Sequence, residues 1–228
     1  MVGELAFWKQ YARAYEDIIG NYSSHKALVD EHLRGLRGYR AVLESGSGPG
    51  HLTKRLLDAG HHVYAMDVSS EMLRLLRERC GNNPNLSIEC GDANELPYGD
   101  GQFDAVSSML VFWAMKEPRK YLLEHNRVLR TGGRLVLSGP GPETRESVDL
   151  QLKTLKGDLE SQGLFPELQA SWESFLEYTA KNVNHTAERW FSHRDITKLL
   201  EGTGFRVDSI ERNPVYCNQG HIVTATKI

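Results

Sequence analysis

Apolar positions along the chain change their spacing in a regular way, and the changes predict elements. Across residues 4–35, Phe7, Tyr11, Tyr15 and Ile18 recur at helical spacing. A break at Gly20-Asn21 follows, then a second helix capped by Ser23 or Ser24 with Leu28 and Leu33 facing inward. Short apolar runs at 40–45, 62–67, 86–92, 105–110 and 134–139 read as strands. Between them, 51–60, 70–80 and 118–130 read as helices. Gly60 and Gly81 stop the first two, Ser69 caps the second with Glu71 in its first turn, and Pro118 opens the third. Residues 96–104 and Thr131-Gly132-Gly133 read as turns.

The alternation lapses after a loop at 139–144. A mainly helical stretch runs to about residue 184, with Leu152, Leu155, Leu159, Leu168, Trp172, Phe175 and Leu176 on its apolar faces. Ser192 and Asp195 then form a capping-box pattern, Gly202 and Gly204 end that helix, and 205–212 and 221–227 close the chain as strands. Strands alternating with helices predict an α/β fold: a Rossmann-like, mostly parallel sheet. The expected organisation is one domain over 1–228. It comprises an N-terminal helical cap (1–37), a core (38–140), a helical lid insertion (141–190), and a C-terminal helix with two strands (191–228).

Composition narrows the classes. The 228 residues are 40% hydrophobic and 25% charged with a net charge of -3, which is ordinary for a globular protein and gives no basic footprint for nucleic acid. No run approaches the ~18 apolar residues needed to span a bilayer. Cys80, Cys90 and Cys217 are odd in number and lack Cys-x-x-Cys spacing, so neither a disulfide framework nor a metal site is expected. The N-terminus shows no signal-peptide pattern, and a cytoplasmic location is expected.

The chemistry concentrates in VLESGSGPG, residues 42–50, between a strand and a helix. Glycines there let a ligand lie on bare backbone, beside the free N–H groups of a helix N-terminus. A dinucleotide loop would read G-x-G-x-x-G, but here Gly46, Gly48 and Gly50 leave His51 where the third glycine would fall. Glu44 beside the loop repels a pyrophosphate and suits an ammonium group. Asp67, at the carboxyl end of the second strand, suits a ribose diol, and Asp92 at the end of the third suits an adenine amine. Together the three acids describe a nucleoside carrying an amino acid.

These segments, with AMDVSSEML, GDANELPYGDGQFD and RVLRTGGRLVLSG, resemble the class I S-adenosylmethionine-dependent methyltransferases, in the group that includes the ubiquinone/menaquinone-type small-molecule enzymes. The resemblance implies a seven-stranded sheet with an antiparallel last strand at 221–227, and S-adenosyl-L-methionine as methyl donor. It implies that Glu44 and the backbone of Ser45, Gly46, Ser47, Gly48 and Gly50 hold the methionine part. Asp67 would take the ribose, Val68 and Met72 the adenine faces, Asp92 and Ala93 the adenine amine, while Ser108 and Met109 would lie near the amine or sulfonium. Related enzymes often carry a histidine just past the fourth strand, where this chain has Phe112-Trp113.

Methyl transfer from a sulfonium needs an in-line nucleophile, and a base only for an acceptor that holds its proton. His25, His51, His185 and His193 are candidates among which the sequence does not choose, and the catalytic residue stays unassigned. The segment SSMLVFWA lacks the Pro-Pro-aromatic signature of amino-directed nucleic-acid methyltransferases and the acids of metal-dependent catechol enzymes. A small apolar or aromatic acceptor is therefore expected. Tyr11, Tyr15, Tyr22, Phe112 and Trp113 are candidate acceptor contacts, with Leu164, Phe165, Trp172, Phe175 and Trp190 of the lid. Simple packing of the lid explains those lid residues equally well. Two alternatives stand beside this reading: a non-catalytic S-adenosylmethionine-binding partner or regulatory subunit, and a nicotinamide-dependent oxidoreductase. The oligomeric state is not legible.

Overall fold

The central strands are apolar enough to be covered on both faces, and that fixes the layer order. In the computed structural model, which describes residues 2–139, 145–186, 191–213 and 220–228, seven strands form one sheet in the order β3-β2-β1-β4-β5-β7-β6. They are β1 (Ala41–Ser45), β2 (His62–Asp67), β3 (Leu86–Cys90), β4 (Phe103–Met109), β5 (Leu129–Gly139), β6 (Phe205–Asn213) and β7 (Gly220–Lys227). β1 through β5 pair in parallel, and β7 runs antiparallel to both β5 and β6. Val42, Leu43, Ala105, Val106, Leu135 and Val136 are fully buried, as expected of parallel strands roofed by helices on both sides.

The helices are α1 (Val2–Ile19), α2 (Ser23–Gly35), α3 (His51–Asp58), α4 (Ser70–Cys80), α5 (Pro118–Val128), α6 (Arg145–Ser161), α7 (Gln169–Thr186) and α8 (His193–Glu201). Two helix starts follow the expected chemistry: the Ser69 hydroxyl accepts from the Met72 N–H, and Ser192 and Asp195 form a reciprocal capping box; α2 instead starts after Tyr22 with no side-chain cap, Ser23 and Ser24 lying inside the helix. Because the strand order reverses between β1 and β4, a crevice opens at the carboxyl ends of those two strands, where open α/β sheets take ligands.

Three further expectations are modified. Thr131-Gly132-Gly133 does not separate a helix from a strand. It bulges within β5, where Leu129 pairs Phe103 but Arg134 already pairs Ala105; Gly132, at φ +75°, takes the left-handed position that the excursion needs. β3 ends at Cys90, so Asp92 lies just past the ladder rather than in it. The aromatic residues of α7 do not join Phe112 and Trp113. Trp172 and Phe175 pack in one core cluster with Ile18, Tyr22 and Leu28, while Phe112 and Trp113 belong to a second, with Phe191 against it. Helices α6 and α7 are thus tied to α1 and α2, with further links from the Ser23 hydroxyl to Asp158 (2.9 Å) and from the Ser171 hydroxyl to Asp17 (2.7 Å). Trp190 and Cys217 lie outside the described residues, as does the side chain of His185.

Candidate active site

The loop leaving β1 is held by the strand beside it. The Gly46 and Ser47 N–H groups both donate to the Met66 carbonyl, at 2.8 and 2.9 Å. The N–H of Gly48 donates to Asp67 Oδ2, and that of Ser69 to Asp67 Oδ1, each at 2.9 Å. Asp67 therefore braces the glycine loop against the start of α4, and each of its oxygens keeps lone-pair capacity for a further donor. Burial raises its pKa, against the lowering effect of these backbone hydrogen bonds.

The three glycines are needed for different reasons. A Cβ on Gly46 would lie 2.2 Å from Val111 Cγ2, and one on Gly50 would lie 2.7 Å from Leu76 Cγ. A Cβ on Gly48 would meet nothing within 4 Å. Gly46 and Gly50 thus serve packing, while Gly48 faces open space. Beside it, the Ser47 hydroxyl is buried without a hydrogen-bond partner among the described residues, which is costly unless a ligand completes it.

Glu44 is 1% exposed and accepts from the Thr53 hydroxyl at 2.5 Å. Burial pushes its pKa up to about 8, the Thr53 hydrogen bond opposing and the Asp67 charge adding to the shift. No cation pairs with it among the described residues, which leaves a buried acid suited to an incoming ammonium group. The β2–β3 ladder continues past the strands through the Gly91 N–H to the Asp67 carbonyl at 3.1 Å, bringing Asp92 alongside. Asp92 Oδ1 accepts from the Asn94 backbone and side chain, at 2.8 and 2.9 Å. Met72 is buried and packs with Ala12 and Leu75, with Trp8 and Tyr15 against them, so α1 lies over the N-terminal turns of α4. Burial, the Glu16 charge and the Asp67 charge together raise the Tyr15 pKa, so its hydroxyl stays protonated.

The other candidates are buried or partly buried. The Ser108 hydroxyl is buried at 2.5 Å from the Tyr121 hydroxyl, which also lies 3.4 Å from Ser45 Oγ. Tyr11 and Tyr22 are buried, Tyr22 within the core cluster of α1 and α2. Val68 and Ala93 are partly buried beside the acids they follow, and Met109 ends β4. Next comes Leu110, a non-glycine residue with positive φ, at +62°. Its N–H still donates to the Ser138 carbonyl at 3.0 Å, and the chain then turns so that Val111 packs on Gly46 and residues 112–114 form one tight 3-10 turn. A strained residue at a strand's carboxyl end is a mark of functional sites, and no sequence pattern announces it.

Sequence reading also missed a polar cluster below the loop. Glu16 of α1 lies 2.8 Å from His51 Nε2 of α3 and pairs with Arg79 of α4. Arg79 Nε also donates to the Pro49 carbonyl of the glycine loop at 2.9 Å. His25 stands edge-on to His51 at 5.1 Å; burial, with the charges of His51 and Arg79, lowers its pKa to about 3. His51 therefore joins the cap to the loop, and His193 is exposed at the start of α8.

Residues 43–137 match the family described as "Methyltransferase domain". The chain is 30% identical over 191 residues to a demethylmenaquinone methyltransferase of Clavibacter sepedonicus, covering 82% of this chain and 74% of that protein. It belongs to the class I S-adenosylmethionine-dependent methyltransferases. Solved structures of similar fold include the magnesium protoporphyrin IX methyltransferase of Synechocystis with bound S-adenosylhomocysteine (TM-score 0.65, 21% identity, 97% of this chain and 94% of that one). Another is a SAM-dependent methyltransferase of Aquifex aeolicus (TM-score 0.61, 18% identity, 98% and 97%). This methyltransferase uses S-adenosyl-L-methionine, and the open face at Gly48, the unpartnered Ser47 hydroxyl and the buried, uncompensated Glu44 fit such a donor.

Proposed function

We propose that this methyltransferase acts in the cytoplasm on a small apolar or aromatic acceptor bound beyond the carboxyl ends of β4 and β5. The observation that carries the reading is the turn at Leu110–Trp113, which leaves β4, packs Val111 against Gly46 of the glycine loop and ends in two buried aromatic residues, Phe112 and Trp113. The names of the Clavibacter and Synechocystis proteins, which refer to a quinone and a porphyrin, support a planar conjugated acceptor. When bound, the donor supplies a methyl group already activated by its sulfonium charge.

The chain's own part is to hold and orient. In this reading Glu44, with the backbone of Ser45, Gly46, Ser47, Gly48 and Gly50, receives the amino acid moiety, and Asp67 the ribose. Val68 and Met72 flank the adenine, while Asp92 and Ala93 meet its amine. Ser108 acts through Tyr121 and Ser45, and Met109 ends the strand under the reacting centre. Tyr11, Tyr15 and Tyr22 belong to a cap of residues 1–37 which, with a lid of residues 141–190 on the single-domain core, keeps water out. Positioning of this kind contributes up to ~7–11 kcal/mol to such a displacement.

The test combines donor binding and methyl transfer. Calorimetry should show S-adenosylhomocysteine binding and no NADH binding, and labelled donor should leave its methyl on a small extractable product. Gly48→Val sharpens it. Since nothing lies within 4 Å of that position, the substitution costs folding only the left-handed strain of ~1–2 kcal/mol, yet it fills the cradle. The expected result is a folded variant whose donor affinity is at least ~100-fold weaker. A variant with wild-type affinity rejects the loop as the donor cradle, and label found only on macromolecules rejects the small acceptor.

A further inference from the structure

At the far end of the Leu110–Trp113 turn, two polar ring atoms are buried with nothing to bond. Trp113 and His221 are each 4% exposed, and neither the indole Nε1 nor the imidazole Nε2 has a hydrogen-bond partner among the described residues. Their ring centroids are 5.4 Å apart. Each unpaired buried group costs about 1–3 kcal/mol, so one alone is a defect and two adjacent ones call for a common partner.

The surroundings are shaped to hold the pair. Gly139 ends β5 and faces His221 across the β5–β7 ladder. A Cβ at Gly139 would lie 2.1 Å from Trp113 Cδ2, so only glycine lets the indole lie flat against the strand end. Phe112 and Phe191 stand 5.2 Å apart and 30° from parallel, forming an aromatic wall next to Trp113. On the other side the exposed His193 sits edge-on to His221 at 5.1 Å, marking where this cluster meets solvent.

Resting on the reading of this sheet edge as the donor and acceptor site, we propose that Trp113 and His221 are the specificity pair that recognises a ring-bound oxygen, hydroxyl or carbonyl, on a planar acceptor. An indole N–H only donates, so it requires a lone pair on the ligand. Burial, with His193 adding to it, lowers the His221 pKa to about 4, so its ring is neutral near pH 7 and offers one donor and one acceptor nitrogen. A hydroxyl satisfies both atoms, accepting from Trp113 and donating to His221. A carbonyl satisfies both when His221 carries its proton on Nε2. An uncharged pair beside an aromatic wall suits a neutral oxygen and disfavours a carboxylate or phosphate.

The test uses the full chain, 15N-labelled at its indoles, with 1-naphthol as probe and naphthalene as the oxygen-free control. The Trp113 indole signal, assigned by its loss in Trp113→Phe, should shift saturably with 1-naphthol, and naphthalene should bind at least about five-fold more weakly. Trp113→Phe and His221→Phe should each shrink that discrimination while leaving S-adenosylhomocysteine affinity within about two-fold of wild type. An indole signal unmoved up to the solubility limit of 1-naphthol overturns the proposal, as does equal binding of the two probes. The wild-type comparison of 1-naphthol with naphthalene does not depend on either variant folding. S-adenosylhomocysteine calorimetry is read separately, so loss of the donor reading is distinguished from loss of this one.

Discussion

Glu44 combines two demands on one carboxylate. It is sealed under the glycine loop with a single hydroxyl partner, and its folded pKa is raised to about 8. In the unfolded chain it titrates in the ordinary carboxyl range. Between that range and about pH 8 the folded state keeps a proton that the unfolded state has released. The ligand-free protein therefore loses stability through this group as pH rises across that window. Glu44→Gln should remove this loss, so that in chemical denaturation the variant gains on wild type as pH rises toward about 8. The same shift makes a prediction for binding. An ammonium group arriving at Glu44 favours its ionised form, so donor binding near neutral pH should release a proton. Calorimetry in buffers of different ionisation enthalpy reads that release directly. Wild-type protein without it, or Glu44→Gln with it unchanged, shows that the amine is held elsewhere.

Elements carry the loop's position, and here the sequence was only partly legible. The alternation of β1 to β5 with α3 to α5 was plain because β1, β2 and β4 are short, largely buried runs and Gly60, Ser69, Gly81 and Pro118 punctuate the helices. The acids at 44, 67 and 92 were legible because they stand at or just past the carboxyl ends of strands, and strand ends define a sheet edge. What did not show was anything that depends on distant elements meeting. Glu16, His51 and Arg79 come from three helices, and Trp113 and His221 are brought together only because β7 is laid antiparallel beside β5. His51, one of four candidate bases in the sequence, is in the structure the link between α3 and α1. Burial opposes ionisation of Glu16, but its close contact with His51 and the charges of His51, Arg79 and Arg13 outweigh it and hold its pKa below the usual carboxylate value. Its depressed pKa contributes stability above the ordinary carboxyl range that is lost as pH falls through the folded value. Glu16→Gln should cost about 1–3 kcal/mol near neutral pH, with the difference from wild type fading in acid. A constant difference across that range shows that the contact works by packing and not by charge.

Over the whole molecule, the helices outside the α/β core form one connected cover. α1 lies on α4 through Tyr15 and Met72, close to Asp67, and its other side packs on α7, where Asp17 accepts from Ser171. α2 is joined to α6 through Ser23 and Asp158. A donor held between the glycine loop and α1 therefore cannot be released by moving α1 without disturbing α7. Ligand at ~100 times its dissociation constant raises the cost of any opening that expels it by ~2.7 kcal/mol, slowing exchange about a hundred-fold. Hydrogen exchange with and without S-adenosylhomocysteine should show this protection in α1 and, through the shared contact, in α7. Ser171→Ala, which removes the link to Asp17 while leaving the donor crevice untouched, should reduce the protection of α7 and leave that of α1. If α1 is protected in wild type while α7 exchanges as fast as in the free protein, the two helices open independently, and the cap alone closes over the donor.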